Sequence, residues 1–285
     1  MTLDNLTTSI PAALRDLRFV SVDGLQIRYA QGGRSDGPQI LLLGTWPESI
    51  LAYAPTWEAF VAIGQVTAVD PPGYGGSEGR ADLMSPEAMG NFLPRIMAAL
   101  NLERPHVVGP DIATPASLYA ELGHPGLFAS LTVGGGATDA SDIHSDLEVI
   151  VNAPSLDAFK DMTGEAFVRG AVGTMETYAL PPVALEDYID AYAGERFLQS
   201  VMFVREYPRA LPRLAKRLHE IRTPCQIVVG GRDPYVPISN AELLKRELPN
   251  SRLHVLDCGH FAWEDKAQDY AALAAAWISG GYAEA

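Results

Sequence analysis

The chain has 285 residues, of which 47% are hydrophobic and 20% are charged, and its formal net charge is −14 at pH 7. This length and composition predict a globular protein with one large core. The negative charge argues against nucleic acid as a partner, because the phosphates would be repelled. No apolar run approaches the ~20 residues that span a membrane, and the first residues lack the basic and apolar parts of a secretory signal. Two cysteines, Cys225 and Cys258, are too few for a disulfide framework and lack a metal-ligand spacing, so we expect reduced thiols, no metal or cofactor, and a cytoplasmic protein.

The first half of the chain alternates between strand and helix patterns. The first dozen residues lack such a pattern, and we interpret them as a mobile arm. Residues 18–31 predict two strands around an Asp-Gly hairpin turn. Short continuous apolar runs, typical of strands buried on both faces, then alternate with helical patterns. The predicted strands are residues 40–43, 66–69, 107–108 and 131–133, and the predicted helices are residues 56–63, 85–100 and 115–123.

The alternation resumes near the end of the chain, with strands predicted at residues 226–229 and 253–256 and helices at 239–248 and 267–277. Such alternation predicts an α/β fold with a mostly parallel sheet and helices on both faces. In these sheets the functional loops lie at the carboxyl ends of the strands. We therefore expect the functional residues just beyond strand ends.

A shift in charge separates the middle of the chain from its flanks. Residues 135–195 contain twelve acidic and two basic residues, whereas residues 196–223 contain seven basic and two acidic ones. This shift predicts an inserted unit at residues 135–215, with residues 1–134 and 216–285 forming the core. The acidic stretch is either a solvated surface or a feature that disfavours anionic substrates.

A sharp turn from strand to helix is predicted around Asp111. Gly109 and Ala113 flank it at two residues on either side, and Pro115 and Gly123 mark the start and stop of the following helix. Small residues are needed beside such an apex, because a Cβ there would clash with the neighbouring backbone. The pattern small-X-Asp-X-small matches the strand-turn-helix that presents a nucleophile, with Asp in place of the usual Ser.

Two further candidates follow later strands. Asp233 lies in the loop after residues 226–229, and His260 comes just after a glycine in the loop beyond residues 253–256. Asp111, Asp233 and His260 thus have the chain order nucleophile, acid, base. Alternatively, Asp233 caps the next helix and His260 is a structural loop residue.

The loop after residues 40–43 offers donors for a developing negative charge. We predict that the backbone N–H groups of Trp46 and Ile112 form an oxyanion hole. The Trp46 side chain can at the same time pack under this loop, because the donor belongs to the main chain.

These motifs resemble those of a known family. Residues 46–49 (WPES) are similar to the oxyanion loop of epoxide hydrolases, and residues 70–77 (DPPGYGGS) match the family's D-x-P-G-x-G-x-S motif. Residues 231–234 (GRDP) and 259–261 (GHF) match its acid and base loops. Apart from its first dozen residues, the chain resembles an α/β-hydrolase of the Asp-nucleophile branch, closest to epoxide hydrolases and less close to haloalkane and fluoroacetate dehalogenases. The resemblance implies an eight-stranded, mostly parallel sheet with a helical lid inserted after the sixth strand.

The chain departs from these relatives at the site. Gly44 and Thr45 replace the usual His-Gly of the oxyanion loop, and Pro110 and Ile112 flank the nucleophile. Haloalkane dehalogenases place a halide-holding Trp directly after the nucleophile, and fluoroacetate dehalogenases a carboxylate-holding Arg. Ile112 can perform neither task, which disfavours both dehalogenase functions. Epoxide hydrolases use lid tyrosines as acids, and the resemblance leaves four candidates open: Tyr178, Tyr188, Tyr192 and Tyr207.

A carboxylate nucleophile restricts the chemistry. It is ionised at neutral pH and attacks a saturated carbon without activation, whereas its attack on an acyl carbon would give a reactive anhydride. We therefore predict that Asp111 opens a neutral, largely apolar epoxide to an alkyl-enzyme ester. His260, oriented by Asp233, then activates the water that releases a diol.

Three alternatives stay open at this point. A dehalogenase could use the same three residues, or Asp111 could act as a general base in an isomerisation, elimination or cyclisation. A binding protein that has lost turnover is the third alternative, since function belongs to sites rather than folds. The sequence does not specify an oligomeric state.

Overall fold

The computed structural model describes residues 10–284. Its eight strands form one sheet in the order β1-β2-β4-β3-β5-β6-β7-β8. Only the β1–β2 and β2–β4 pairs are antiparallel, and all other neighbouring strands run parallel. The predicted eight-stranded, mostly parallel sheet is therefore confirmed. The strands are β1 Arg18–Val22, β2 Leu25–Gly33, β3 Gln39–Leu43, β4 Gln65–Val69, β5 His106–Pro110, β6 Ser130–Gly134, β7 Cys225–Gly230 and β8 Ser251–Leu256.

The central strands read as uninterrupted apolar runs because helices cover both faces of the sheet. Every residue of β5, β6 and β7 is buried. The predicted hairpin joins β1 to β2 through Asp23 and Gly24, whose φ angles of 49° and 82° give the left-handed pair that such a two-residue turn requires.

Twelve α-helices, separated by short 3₁₀ turns, complete the described chain. Five lie next to sheet strands at or near the predicted positions, a sixth, Ala262–Asp265, was not predicted, one is a short helix near the start of the chain, and five lie between β6 and β7. They are α1 Ala12–Arg15, α2 Trp57–Val61, α3 Pro86–Ala99, α4 Ala113–Gly123, α5 Ser145–Asn152, α6 Gly164–Val172, α7 Pro182–Ala191, α8 Glu195–Arg205, α9 Tyr207–Ala215, α10 Ile238–Glu247, α11 Ala262–Asp265 and α12 Ala267–Ile278.

Two local predictions need correction. The helix predicted to start at Pro115 begins at Ala113, because the chain turns into α4 directly after the apex. Pro115 fits in the first turn, where its missing N–H would have no partner inside the helix. Of the predicted N-terminal arm, residues 1–9 lie outside the described residues, but Ile10 is buried against the core rather than mobile.

The segment between β6 and β7 contains α5 to α9, and we refer to residues 135–215 as the insertion. Its division from the core at these two positions stays a prediction. Among residues 10–284, no helix combines the length and apolarity that crossing a membrane requires.

A largely buried group of polar contacts attaches α7 of the insertion to the core. Arg28 on β2 pairs with Asp70 after β4, and its two terminal nitrogens bind Asp187 on α7 at 2.6 and 2.9 Å. Ser49 donates a further bond to Asp187 at 2.6 Å. We call Arg28, Asp70 and Asp187 the ionic clamp.

Candidate active site

Asp111 lies at the sharp turn between β5 and α4. Its φ of 52° is left-handed, a conformation that strains a non-glycine residue and often marks a functional position. Its N–H donates to the Gly134 carbonyl at 2.9 Å, which fixes the turn against β6. A Cβ on Gly109 would lie 3.0 Å from Ser117 Oγ, and one on Gly136 would lie 2.1 Å from the Asp111 carbonyl oxygen. The glycines therefore allow the backbone to approach as closely as this turn requires.

Backbone donors hold one side of the Asp111 carboxylate. The N–H of Trp46 donates to Oδ2 of Asp111 at 2.6 Å. The N–H of Ile112 also hydrogen-bonds this carboxylate and helps to lower its pKa. The two donors expected from the sequence thus meet at Asp111 itself, while its Oδ1 faces His260.

His260 bridges the two aspartates. Its Nδ1 lies 2.7 Å from Oδ2 of Asp233, and its Nε2 lies 3.8 Å from Oδ1 of Asp111. The other oxygen of Asp233 accepts the N–H groups of Tyr235 at 2.8 Å and Val236 at 3.0 Å. Asp233 does not cap the next helix, because α10 begins at Ile238 after an N-cap without a side-chain bond. Both carboxylate oxygens of Asp233 serve instead to hold its own loop and His260.

Burial and neighbouring charges shift the pKa values of Asp111 and His260, which face each other. Burial raises the pKa of Asp111 to about 6, although the charge of His260 and the two backbone N–H groups oppose the rise. For His260, burial by itself lowers the pKa, but the carboxylates of Asp233, Asp111 and Glu48 outweigh it and raise the pKa to about 9. Between these values the resting site holds an Asp111 carboxylate beside a protonated His260.

A cavity of about 230 Å³ opens over Asp111 and His260. It is lined mostly by apolar side chains of the insertion, among them Leu147, Ile150, Phe159 and Phe167. Neither lysine nor arginine is among the described residues that line it. The arrangement suits a neutral, largely apolar ligand.

One of the four candidate tyrosines lines this cavity. Tyr207, the first residue of α9, lies in the same lining as Asp111 and His260. The cavity lining does not include Tyr178, Tyr188 or Tyr192. Tyr192 donates to the Glu48 carbonyl at 3.0 Å, so it attaches the insertion to the core. Of the four candidates, only Tyr207 is therefore placed to meet a ligand over Asp111.

Four other polar residues at this site were not predicted from the sequence. Tyr235 and Asp146 line the cavity, and Tyr235 packs edge-to-face on His260 at 5.3 Å. Glu48 and Glu264 lie buried beneath it. Three of them gave a sequence signal that could have been used: Tyr235 follows Asp233 by two residues, Glu48 belongs to the WPES motif, and Glu264 follows His260 by four residues. Within residues 10–284, no group of three or more His, Cys, Asp or Glu side chains is arranged to hold a metal ion.

The chain is similar to several known enzymes over most of its length. A hydrolase from Pseudomonas putida named for 2-hydroxy-6-oxononadienedioate and 2-hydroxy-6-oxononatrienedioate is 27% identical over 260 residues, which cover 84% of this chain and 87% of that protein. A hydrolase of the same name from Burkholderia vietnamiensis is 28% identical over 271 residues, covering 87% of this chain and 90% of the relative.

Several solved structures are similar to this chain in fold. A haloalkane dehalogenase from Bradyrhizobium elkani matches with a TM-score of 0.81 at 22% identity, covering 95% of this chain and 99% of that one. An enol-lactonase from Burkholderia xenovorans matches with a TM-score of 0.78 at 17% identity, covering 92% of this chain and 99% of that one. At these identities the likeness concerns the fold. The sequence pattern of the family described as alpha/beta hydrolase fold matches residues 38–267. Because this match covers most of the chain and the sheet agrees with it, the protein belongs to the α/β-hydrolase family.

Proposed function

We propose that the protein is a hydrolase that opens a neutral, largely apolar epoxide through an ester on Asp111 and releases a vicinal diol. Asp111 is the nucleophile, His260 is the base of the second step, and Asp233 orients His260. The backbone N–H groups of Trp46 and Ile112 form the oxyanion hole. The family supplies the hydrolase fold, and the arguments for the epoxide come from the site.

The orientation of the Asp111 carboxylate carries this proposal. Oδ2 accepts the Trp46 N–H at 2.6 Å, so the opposite oxygen, Oδ1, is the one available to a ligand in the cavity. Once Oδ1 has become the ester oxygen, Oδ2 is the carbonyl oxygen that gains negative charge when water attacks. A donor already in place at that atom stabilises the second transition state.

In the first step, Oδ1 forms a bond to an epoxide carbon while the carbon–oxygen bond of the epoxide breaks. The freed oxygen takes a proton from the Tyr207 hydroxyl. Ester formation removes the Asp111 charge that raises the pKa of His260, and His260 then passes its proton back to Tyr207. A neutral His260 is thus produced when a base is next required.

In the second step, water gives one proton to His260 and adds its oxygen to the Asp111 carboxyl carbon. The ester bond breaks, and the departing diol oxygen takes up the proton of the carboxylic acid that forms. The cycle ends with the Asp111 carboxylate and protonated His260 from which it began, and one epoxide and one water have become one diol.

The cavity disfavours the class of substrate that appears in the names of the related hydrolases. Their names describe dioates, which carry two carboxylates. The described lining of this cavity contains Asp146 and Asp111 but no lysine or arginine to pair with such groups. Burying an anion without a partner is costly, so a neutral substrate fits better.

A dehalogenase would need donors for the departing halide. Ile112, directly after the nucleophile, has no side-chain donor, and the indole N–H of Trp46 donates to Ser200 Oγ at 3.0 Å. The fold likeness to a haloalkane dehalogenase therefore lacks support at the site itself. The epoxide is favoured because its leaving oxygen needs only a proton.

The test is the intact mass of His260→Gln after incubation with pools of epoxides and of alkyl bromides. Removing the base leaves the first step intact and blocks the second, so we expect an adduct with the full mass of one epoxide. Peptide mapping should place it on Asp111. Asp111→Asn/His260→Gln serves as the control and should gain no mass.

A different adduct mass would indicate a different function. An adduct short by hydrogen bromide would assign a dehalogenase. If no epoxide adduct forms and the wild-type protein leaves every epoxide unchanged, the proposal fails.

One observation favours a second candidate function. The pKa of Asp111, raised to about 6 by burial, is close to the range of an effective general base. Asp111 could then remove a proton from a substrate in an isomerisation, elimination or cyclisation without forming an ester. Incorporation of solvent deuterium into a recovered product, without any adduct on His260→Gln, would favour this function.

A further inference from the structure

Two glutamates, Glu48 and Glu264, lie against each other beneath the candidate active site. Glu48 is 0% exposed and Glu264 is 3% exposed, and each carboxyl shifts the pKa of the other. Glu48 Oε1 and both carboxyl oxygens of Glu264 are buried without a hydrogen-bond donor among residues 10–284. A hydrogen bond between the two carboxyls would require a proton on one of them, since carboxylates only accept. Two neighbouring carboxylates away from water cannot both ionise. The pair therefore holds one proton and one negative charge.

The surroundings decide where the charge resides. Glu48 Oε2 accepts the Thr45 hydroxyl at 2.6 Å and the Trp263 indole N–H at 3.2 Å. No donor of residues 10–284 reaches either carboxyl oxygen of Glu264. Burial raises the pKa of both carboxyls, that of Glu264 well above its ordinary value. The charge thus belongs on Glu48 and the proton on Glu264.

The charged member of the pair is coupled to His260. Trp263, which donates to Glu48, packs edge-to-face on the His260 ring at 5.5 Å. The carboxylate of Glu48 favours the protonated form of His260 and disfavours the ionised form of Asp111. The titratable groups that face the pair are Tyr53, Asp111, Tyr178, Tyr188, His260 and Asp265.

We propose that Glu48 and Glu264 share one proton and act as a single buried negative charge that, together with Asp233 and Asp111, holds His260 in its protonated form. Glu48 is thus a positioning residue that acts through His260. A higher proton affinity makes His260 a stronger base toward water, and this consequence rests on the function proposed above. The charge itself belongs to the free protein and can be measured without substrate.

The experiment is an NMR titration of histidine ring carbons in ¹³C-labelled protein. His260→Gln identifies the His260 signal among the six histidines. Glu264→Gln keeps a neutral donor beside Glu48, so the His260 midpoint should stay at its wild-type pH. Glu48→Gln/Glu264→Gln removes the charge and should lower the midpoint by about one pH unit. Glu48→Gln moves the charge onto Glu264, so its His260 midpoint should lie between that of Glu264→Gln and that of the double variant.

These substitutions retain side-chain size, and thermal melting checks that each variant is folded. If the double variant does not fold, Glu48→Gln provides the test and should still lower the midpoint. The proposal is overturned if the charge-free variant titrates like wild type, or if Glu264→Gln alone lowers the midpoint as far as the double variant. Because no substrate is present, this result is independent of the adduct experiment, which tests the proposed function.

Discussion

Two aspartates of identical chemistry are held in opposite ways at this site. Asp233 uses both carboxylate oxygens for hydrogen bonds, to His260 and to two backbone N–H groups. Asp111 has one oxygen held by Trp46, and the other, Oδ1, lies 3.8 Å from Nε2 of His260. Such contrasts of environment are how proteins give two carboxylates separate tasks. The proposed division into nucleophile and orienting acid follows from this difference.

The raised pKa of Asp111 implies a cost in stability. Its pKa is 3.8 in the unfolded reference and about 6 when folded, so folding favours the protonated form and the cost appears as pH rises through 6. Asp111→Asn, which stays neutral, should increase the free energy of unfolding by about 3 kcal/mol at pH 8.

Urea denaturation at several pH values measures this gain. It should shrink toward zero as pH falls from 7 to 4, where wild-type Asp111 is itself protonated. A gain that is constant over this range would contradict the assigned pKa.

The role proposed for Tyr207 can be separated from that of the other cavity tyrosine. In the His260→Gln background, Tyr207→Phe should slow adduct formation with an epoxide about 100-fold, because the opening oxygen loses its proton donor. Tyr235→Phe is the matched control and should leave the rate almost unchanged, since its hydroxyl lies 3.4 Å from Thr174 Oγ1. Stopped samples analysed by mass spectrometry give both rates, and the opposite ranking would assign the acid to Tyr235.

Among the secondary-structure elements, the helices of the insertion differ in what they contribute to the site. Polar contacts join α7 and α8 to the core: the ionic clamp, the Tyr192 bond to the Glu48 carbonyl, and the Trp46 bond to Ser200. Ser145 at the start of α5 also donates to the Pro234 carbonyl of the core at 2.9 Å. The helices α5 and α6 line the cavity mainly with apolar side chains, and Val149 and Met162 in this lining are 64% and 44% exposed. The exposed residues place the mouth of the cavity on the α5–α6 side.

The ionic clamp predicts which charges of the insertion matter for stability. Asp187→Asn should lower the free energy of unfolding by about 1–2 kcal/mol, because Arg28 is buried and loses one of its two carboxylate partners. Glu165→Gln on α6 removes a solvent-exposed pair with Arg169 and should have no measurable effect. Chemical denaturation measures the free energy of unfolding of both variants. Equal values would show that the ionic clamp does not stabilise the protein.

Across the whole molecule, local sequence signals predicted the sheet and the placement of the candidate residues. Buried parallel strands give uninterrupted apolar runs, and the loops that follow them contain glycine and proline, so Asp111, Asp233 and His260 could be placed at strand ends. The Glu48–Glu264 pair and the ionic clamp join residues far apart in the chain, and no local pattern encodes such pairings. The choice among four tyrosines likewise depends on how the insertion folds back over the sheet.

The helices of the insertion allow two kinds of evolutionary change. Substitutions at cavity-lining positions of α5, such as Ile150, alter the shape of the cavity without touching the ionic clamp. A lineage with this architecture can therefore acquire new substrates through changes in α5 while the chemistry stays the same. Phe167 on α6, Asp187 on α7 and Ser200 on α8 have less freedom, because Phe167 and Ser200 contact Trp46 and Asp187 pairs with Arg28.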